Sequence, residues 1–262
     1  MNPADLPRDE KGRYYHIACK EGDIAPYVLM CADPRRAERI AKRLDSPERK
    51  GDKRGYLTFT GTYNSVLLTI MGTGIGAPAT AIAIVEAANC QKNATFIRVG
   101  TCGALQRHVA LGDLVITKRV VREENTSENY GPPGIEVSGH PDVLDALRDA
   151  ATEICAPFYE GVTCTTSDFF AGQGRIVPGF RTVDTERVER LARAGVLNLE
   201  MEMSVVYSLA YFSEYDLRAG GITTVIGNRI TGNWATARQI EAFETVSIDV
   251  ALRAVEILFK RD

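Results

Sequence analysis

Residues 96–105, FIRVGTCGAL, place an arginine in the middle of a hydrophobic run that ends in a glycine-rich turn. The apolar residues on either side of Arg98 are typical of a buried β-strand. An unpaired charge in a buried strand is strongly unfavourable. We therefore expect Arg98 either to lie at an edge of the sheet or to hold an anion.

Segments on both sides of this strand alternate between strand-like and helix-like patterns. YVLMC at 27–31 is followed by DPRRAERIAKRL at 33–44, in which Asp33 can cap a helix and Pro34 suits its first position. The other predicted elements are a hairpin over 56–72 that turns around 61–64, strands over 95–100, 113–123, 159–170 and 219–229, helices over 77–90, 140–155, 184–194 and 237–260, and a strand that runs into a helix over 197–212.

Repeated crossovers between these strands predict the fold class. They favour an α/β protein, a single-domain three-layer α/β/α sandwich with a central mixed twisted sheet. A chain of 262 residues is long enough to form one such domain. We expect the domain to span 1–262, with 1–15 as a flexible N-terminal extension.

Composition and charge narrow the classes of partner. Hydrophobic residues make up 45% and charged residues 25%, and the formal net charge is −3, values that are ordinary for a globular chain. No basic surplus indicates nucleic-acid binding. The polar start lacks the apolar core of a signal peptide, and no stretch has the length of a membrane span. We expect a cytoplasmic protein without nucleic-acid or membrane partners.

The cysteines and histidines do not predict a metal site. The six cysteines form no CxxC pair, and only three histidines accompany them. We therefore expect no bound metal, and reduced, mostly buried thiols. Cys102 lies in the glycine-rich turn, so a nucleophilic role stays open as an alternative.

Three loops carry chemistry suited to an anion. In α/β sheets, ligands collect where strands end and helices begin, because backbone amides and helix N-termini face that edge. Arg36 follows the first strand, the loop MGTGIGAPA at 71–79 has three glycines, and Arg98 and Thr101 belong to the opening stretch. Each signal is weak alone, since Arg36 could be a solvated helix charge. Together they predict an oxyanion site of phosphate size.

The order of the motifs resembles the nucleoside phosphorylase-I family, and within it the uridine phosphorylases. The segments that carry the resemblance are YHIACKEGDI, ADPRR, TGIGAPA, FIRVGTCGA, SDFFAGQGR, EME and GNR. They run from about His16 to the C-terminus. The resemblance implies reversible phosphorolysis, in which uridine and inorganic phosphate give uracil and ribose 1-phosphate.

The resemblance also implies a phosphate site and a ribose site. The implied phosphate-binding residues are Ala32, Arg36, Arg54, Arg98 and Thr101. The implied ribose-binding residues are His16, Thr101, Met201 and Glu202. Arg54 and His16 match residues that the family supplies from the neighbouring subunit. Ala32 replaces the family's glycine, and it would be strained if this position required a positive φ.

Uracil offers two carbonyl acceptors and one N–H donor at its edge. Gln173 donates and accepts at once, and Arg175 donates, so this pair is complementary to that edge. Phe169 provides a face for stacking, and the resemblance adds Gly103 and Arg229 to the base site. Purine-specific relatives carry an aspartate in the late motif, where this chain has Asn228. The residues expected to be catalytic are Arg98, Gln173, Arg175 and Glu202.

The expected mechanism needs no cofactor or metal, and phosphate is a co-substrate. Some members of the family hold an alkali ion between subunits with a glutamate that follows the neighbour's arginine, and Gly55 in that place argues against the ion here. The implied assembly is a homo-oligomer, either a dimer or a hexamer built as a trimer of dimers. A purine nucleoside phosphorylase, a nucleoside hydrolase and a catalytically silent nucleoside-binding protein stay open as alternatives.

Overall fold

Strands and helices alternate along the chain. The computed structural model describes residues 2–262 and contains nine β-strands and six α-helices in that range. The strands are β1 (Tyr27–Cys31), β2 (Asp45–Lys53), β3 (Tyr56–Tyr63), β4 (Val66–Gly72), β5 (Thr95–Ala104), β6 (Leu114–Glu123), β7 (Phe158–Thr166), β8 (Asn198–Glu200) and β9 (Arg218–Asn228). The helices are α1 (Pro34–Ala41), α2 (Ala77–Cys90), α3 (Pro141–Glu153), α4 (Arg187–Arg193), α5 (Met203–Phe212) and α6 (Ala237–Arg261).

The strand that carries Arg98 lies inside a mixed sheet. β5 pairs in parallel with β1 on one side and with β9 on the other. Beyond β1 the order is β4, β3 and β2, and the last two pairings are antiparallel. Arg98 is therefore in a central strand rather than at an edge, and its role in holding phosphate stays a prediction.

One end of the sheet closes on itself. β5 pairs with both β9 and β8, while β9 pairs with β6, β6 with β7, and β7 with β8. These five strands form a ring that the sequence analysis did not predict. The ring brings the ends of β5, β7, β8 and β9 close together.

Helices cover both faces of the sheet. In β1, Leu29 packs into an apolar cluster with α1, α3 and α6, whereas Val28 and Met30 pack into a second cluster with α2 and α5. Neighbouring strand residues point to opposite faces, so the two clusters lie on opposite sides of the sheet. The predicted three-layer α/β/α sandwich with a mixed sheet is confirmed.

Two local predictions at the outer strands need correction. The pattern at 45–53 does not predict a strand, yet this charged segment forms β2, an edge strand that is mostly exposed. The hairpin turn lies at Asn64 and Ser65, which both have positive φ, rather than around 61–64. Gly61 serves packing instead, because a Cβ there would lie 3.0 Å from the carbonyl oxygen of Asp45.

The N-terminal segment is anchored at its end. Tyr14 is buried, and the guanidinium of Arg8 lies 4.4 Å from the centre of the Tyr14 ring. The Tyr14 hydroxyl donates to the Asn89 carbonyl on α2 at 3.3 Å. The flexibility expected of 1–15 stays a prediction, and Met1 lies outside the described residues. Within residues 2–262, none of the helices combines the length and the apolar character needed to cross a bilayer.

Candidate active site

A cleft opens at the carboxyl end of β5, where the loops that follow β1, β4, β7 and β9 meet the start of α5. This is the edge at which ligands bind in α/β sheets. The predicted site residues that line it are Ala32, Arg98, Thr101, Gly103, Phe169, Gln173, Arg175, Met201 and Glu202. Four others, His16, Arg36, Arg54 and Arg229, do not belong to the lining.

Arg98 is buried and faces two carboxylates. One Nη2 hydrogen bond goes to Glu202, and the same nitrogen lies 3.4 Å from Glu200 Oε2. Burial alone would lower the pKa of Arg98, but the charges of Glu202 and Glu200 outweigh burial and raise it. Among residues 2–262, no hydrogen-bond partner reaches the buried Nη1 atom. One side of the guanidinium is thus held by the protein, and one donor is left over.

Arg36 is the second buried arginine near this edge. Its Nη1 donates to the Val99 carbonyl at 3.0 Å, and its Nη2 forms an ion pair with Glu244 on α6. The other oxygen of Glu244 binds Arg39 Nη1 at 2.7 Å. The Nε atom of Arg36 is buried, and no partner for it occurs in the described part of the chain. Glu244 therefore fixes Arg36 while leaving a donor unused.

Ala32 is not strained. The non-glycine residues with positive φ in the range 2–262 lie elsewhere, at positions 18, 46, 54, 64, 65 and 155. The concern raised by the replacement of glycine is therefore removed, because alanine readily adopts a negative φ. Asp33 follows and accepts a hydrogen bond from the Arg35 amide at 2.9 Å, which confirms the predicted cap of α1.

Glu202 connects the glycine-rich loop to Arg98. Its Oε1 accepts a hydrogen bond from the Gly76 amide at 2.7 Å, and its Oε2 accepts from Arg98. Gly76 has a φ of 97°, a conformation that favours glycine. The loop at 71–79 therefore holds the carboxylate at the start of α5 through its backbone.

Glu200 lines the same cleft, and the sequence analysis did not select it. Its Oε2 accepts from the amides of Glu202 at 2.8 Å and Met203 at 2.9 Å, so it caps α5. The Thr165 hydroxyl donates to its Oε1 at 2.5 Å. Burial raises the pKa of Glu200 to about 7, although Arg98 acts in the opposite direction. Glu200 is the first residue of the EME motif, so the motif itself could have identified it from the sequence.

The other end of the cleft combines amide, guanidinium and aromatic groups. Gln173 is buried, and Arg175 Nη2 lies 3.4 Å from its Oε1. The Arg175 guanidinium carbon lies 4.1 Å from the centre of the Phe169 ring. Burial, together with the charge of Arg229, lowers the pKa of Arg175 to about 10. Arg175 is therefore still a cation near neutral pH.

Arg229 does not line the cleft but contacts the loop that carries Gln173. Its Nη1 donates to the Gln173 carbonyl at 2.7 Å, so it holds the loop that carries Gln173. The lining also includes Trp234, the single tryptophan of the chain, and three apolar residues that the sequence analysis missed. These three are Ile75, Leu199 and Ile226.

His16 and Arg54 lie away from the cleft of their own chain. His16 Nδ1 is 2.6 Å from Glu86 Oε1, and Arg54 Nη1 donates to the Tyr15 hydroxyl at 3.2 Å. Arg54 has a φ of 54° in the turn between β2 and β3. Both side chains are partly or fully accessible at the surface, so a second molecule can reach them.

The thiol in the glycine-rich turn is not activated. Burial raises the pKa of Cys102 to about 11, so the thiol is protonated near neutral pH. All six cysteines are free, and Cys155 is the exposed one. In residues 2–262, no group of three or more His, Cys, Asp and Glu side chains has a geometry suited to a metal ion.

The family follows from a match over most of the chain. The family model described as the phosphorylase superfamily matches residues 26–260. This chain belongs to that superfamily, and its α/β/α fold is consistent with it. The resemblance drawn from the seven motifs is confirmed.

Curated relatives extend over nearly the whole chain. A uridine phosphorylase of Thermococcus kodakarensis is 40% identical over 99% of this chain and 91% of its own. A uridine phosphorylase of Treponema pallidum is 34% identical over 95% of both chains. A guanosine phosphorylase of Halorubrum lacusprofundi is 34% identical over 92% of this chain and 95% of its own. The names of these relatives include two nucleosides, uridine and guanosine.

Proposed function

We propose that this protein catalyses the reversible phosphorolysis of uridine, in which phosphate replaces uracil on the ribose. The observation that supports phosphate binding is that two buried arginine nitrogens have no hydrogen-bond acceptor in the described part of the chain. Arg36 Nε and Arg98 Nη1 are buried without a partner among residues 2–262, and the two arginines lie next to each other along β5, since Arg36 Nη1 donates to the carbonyl of Val99, the residue after Arg98. Leaving a buried charged donor unpaired is costly, and a phosphate oxygen would satisfy each of them.

The ribose lies between the phosphate and the base. Glu202 accepts hydrogen bonds from the sugar hydroxyls, and Met201 and Thr101 line the same part of the cleft. Arg98 Nη2 donates to one oxygen of Glu202, and the Gly76 amide donates to the other. Each carboxylate oxygen has a second lone pair, which can accept from a sugar hydroxyl.

The base lies against Gln173, Arg175 and Phe169. As the glycosidic bond stretches, positive charge grows on the ribose and negative charge grows on the base. Phosphate stabilises the first and attacks the sugar carbon, while Arg175 and Gln173 stabilise the second, so fixed electrostatics provide the main catalytic effect. Gly103 lines the same cleft, and a Cβ there would lie 3.6 Å from Arg229 Cγ.

Asn228 favours a pyrimidine over a purine. Its side-chain Nδ2 donates to the backbone carbonyls of Gln106 and Val109 at 2.9 and 2.8 Å. Its Oδ1 accepts from the backbone N–H groups of Ile230 and Thr231. The side chain is fully used within the loop and has no acidic proton. It therefore offers no general acid for a purine ring nitrogen.

The proposal includes an assembly and a location. His16 and Arg54 act in the cleft of a neighbouring subunit, so the active unit is a homo-oligomer, either a dimer or a hexamer built as a trimer of dimers. The protein works in the cytoplasm.

The test is the release of free base with and without phosphate. We expect uracil release from uridine that requires phosphate, and slower cleavage of inosine and guanosine under identical conditions. Equal release without phosphate would indicate a hydrolase, and faster cleavage of the purine nucleosides would indicate a purine nucleoside phosphorylase. Binding of uridine without any cleavage would indicate a silent binding protein.

A further inference from the structure

Trp234 lies at the base end of the cleft, in the loop between β9 and α6. Backbone hydrogen bonds fix the loop around Trp234, because the backbone N–H of Asn228 donates to the Asn233 carbonyl and that of Ala235 donates to the Ile226 carbonyl, both at 2.9 Å. The indole ring packs on Gly227, where a Cβ would lie 2.6 Å from Cε3. The position of the ring is therefore set by the protein.

The indole lies near the cation that is expected to face the base. The Arg175 guanidinium carbon is 5.8 Å from the centre of the Trp234 ring and 4.1 Å from that of Phe169. An arginine within about 6 Å of an aromatic centre is attracted by the ring quadrupole, and more strongly when water is excluded. Arg175 also donates from Nε to the Phe169 carbonyl at 3.0 Å. Two aromatic rings, the Phe169 carbonyl and, at 3.4 Å, Gln173 Oε1 thus surround this guanidinium.

An aromatic contact is needed here because Arg175 lacks a carboxylate partner. None of the ion pairs found in residues 2–262 involves Arg175, and the neighbouring charge is another cation, Arg229. Trp234 itself is 53% exposed, so packing on Gly227 covers the indole only in part, and the ring is also within reach of the Arg175 guanidinium.

We propose that Trp234 is a positioning residue for the departing base, which acts by holding the Arg175 guanidinium in place. This inference rests on the proposed phosphorolysis of uridine. Arg175 stabilises the negative charge that develops on uracil, and a guanidinium held in place does this better than a mobile one, because it needs no reorganisation as the charge develops. Trp234 therefore acts on the leaving step, through Arg175, rather than on binding of the nucleoside.

A comparison of two leaving groups provides the experiment. The fluorine of 5-fluorouridine withdraws electrons, so its base departs with less help than uracil. In single-turnover phosphorolysis, Trp234→Leu should slow uridine cleavage about tenfold and 5-fluorouridine cleavage about twofold. Trp234→Phe keeps an aromatic face and should stay within about threefold of the wild type on both. An equal loss on both substrates, or no loss on either, would overturn the inference.

Two controls separate this role from others. Phe259 on α6 is 51% exposed, close to the exposure of Trp234, and Phe259→Leu should keep the wild-type ratio of the two rates. In an Arg175→Ala background, Trp234→Leu should add less than about a twofold loss, because the indole acts through the guanidinium. A rise in the KM of uridine with an unchanged ratio of rates would place the indole on the base itself and contradict the inference.

If the wild type fails to cleave uridine with phosphate, the proposed function is wrong. If it cleaves uridine but Trp234→Leu leaves the ratio unchanged, only the role of Trp234 is wrong. Thermal unfolding of each variant shows that the loss is not one of folding.

Discussion

The guanidinium of Arg98 lies in the space that a side chain at position 100 would occupy. A Cβ built on Gly100 overlaps Arg98 Nη1, the atom that is left without a partner within residues 2–262. Residues two apart on a strand share a face, so Arg98 folds back along β5 over the glycine. Gly100 has no positive φ, and its role is therefore one of space.

Gly100→Ala should displace the guanidinium while leaving the strand intact. Because a hydrogen bond to a charged group would be lost, we expect the KM of phosphate to rise about tenfold or more. Steady-state kinetics at varied phosphate measures this, and circular dichroism checks the fold. The double variant with Arg98→Ala should lose no more activity than Arg98→Ala alone. An unchanged KM of phosphate in Gly100→Ala would contradict this explanation.

Glu202→Ala should abolish ribose binding with the fold intact. Two charge-assisted hydrogen bonds to the sugar would be lost, so we expect kcat/KM of uridine to fall about a hundredfold or more. Glu214, an exposed carboxylate just beyond α5, provides the matched control, and Glu214→Ala should keep wild-type kinetics. An unaltered catalytic efficiency in Glu202→Ala would remove this residue from the site.

Glu244→Gln should weaken phosphate binding from a distance. Both carboxylate oxygens of Glu244 hold arginines, Arg36 and Arg39, and a neutral amide has one acceptor only. We expect the KM of phosphate to rise about fivefold with little change in the KM of uridine. Glu241→Gln, one turn earlier on α6 with an exposed side chain, is the control and should behave as the wild type. Equal changes in both KM values would indicate general loosening of the fold instead.

The pH dependence of stability should report on Glu200. Burial raises the pKa of Glu200 to about 7 from the ordinary value of 4.5 for a glutamate, so in this interval the folded chain keeps a proton that the unfolded chain releases. Glu200 therefore stabilises the folded chain fully below pH 4.5, and this stabilisation is lost as the pH rises through about 7. The free energy of unfolding of the wild type should therefore fall relative to that of Glu200→Gln across this interval. Chemical denaturation of both proteins at several pH values measures it, and parallel curves would contradict the assignment.

Complementation between defective chains tests the shared cleft. An Arg54→Ala subunit keeps its own Arg98, and an Arg98→Ala subunit keeps the Arg54 that it donates. A mixed dimer should contain one cleft with both lesions and one with neither, so co-refolding two inactive variants should restore a substantial part of the activity. Persistent inactivity of verified mixed oligomers, or full activity of a dilute monomer, would show that one chain builds the whole site.

Local patterns were enough for the regular elements. The helix predicted over 77–90 is observed at the same bounds, because Gly76 precedes it and small apolar residues fill it. The polar strand β2 was missed because an edge strand is stabilised by backbone pairing with β3 and carries no apolar alternation. The ring of five strands was missed because it depends on which distant strands β5 meets, and no local pattern encodes that.

The sequence by itself determined the family, the α/β/α architecture and the residue types that gather at the end of β5, because these follow from short motifs and from hydrophobic periodicity. The tertiary structure alone decided the partner of each charge. Arg98 meets a carboxylate 104 positions away, Arg36 meets one 208 positions away, and Trp234 approaches Arg175 from another loop. Electrostatic and aromatic contacts depend on distances of a few ångströms, and only the folded chain sets those distances.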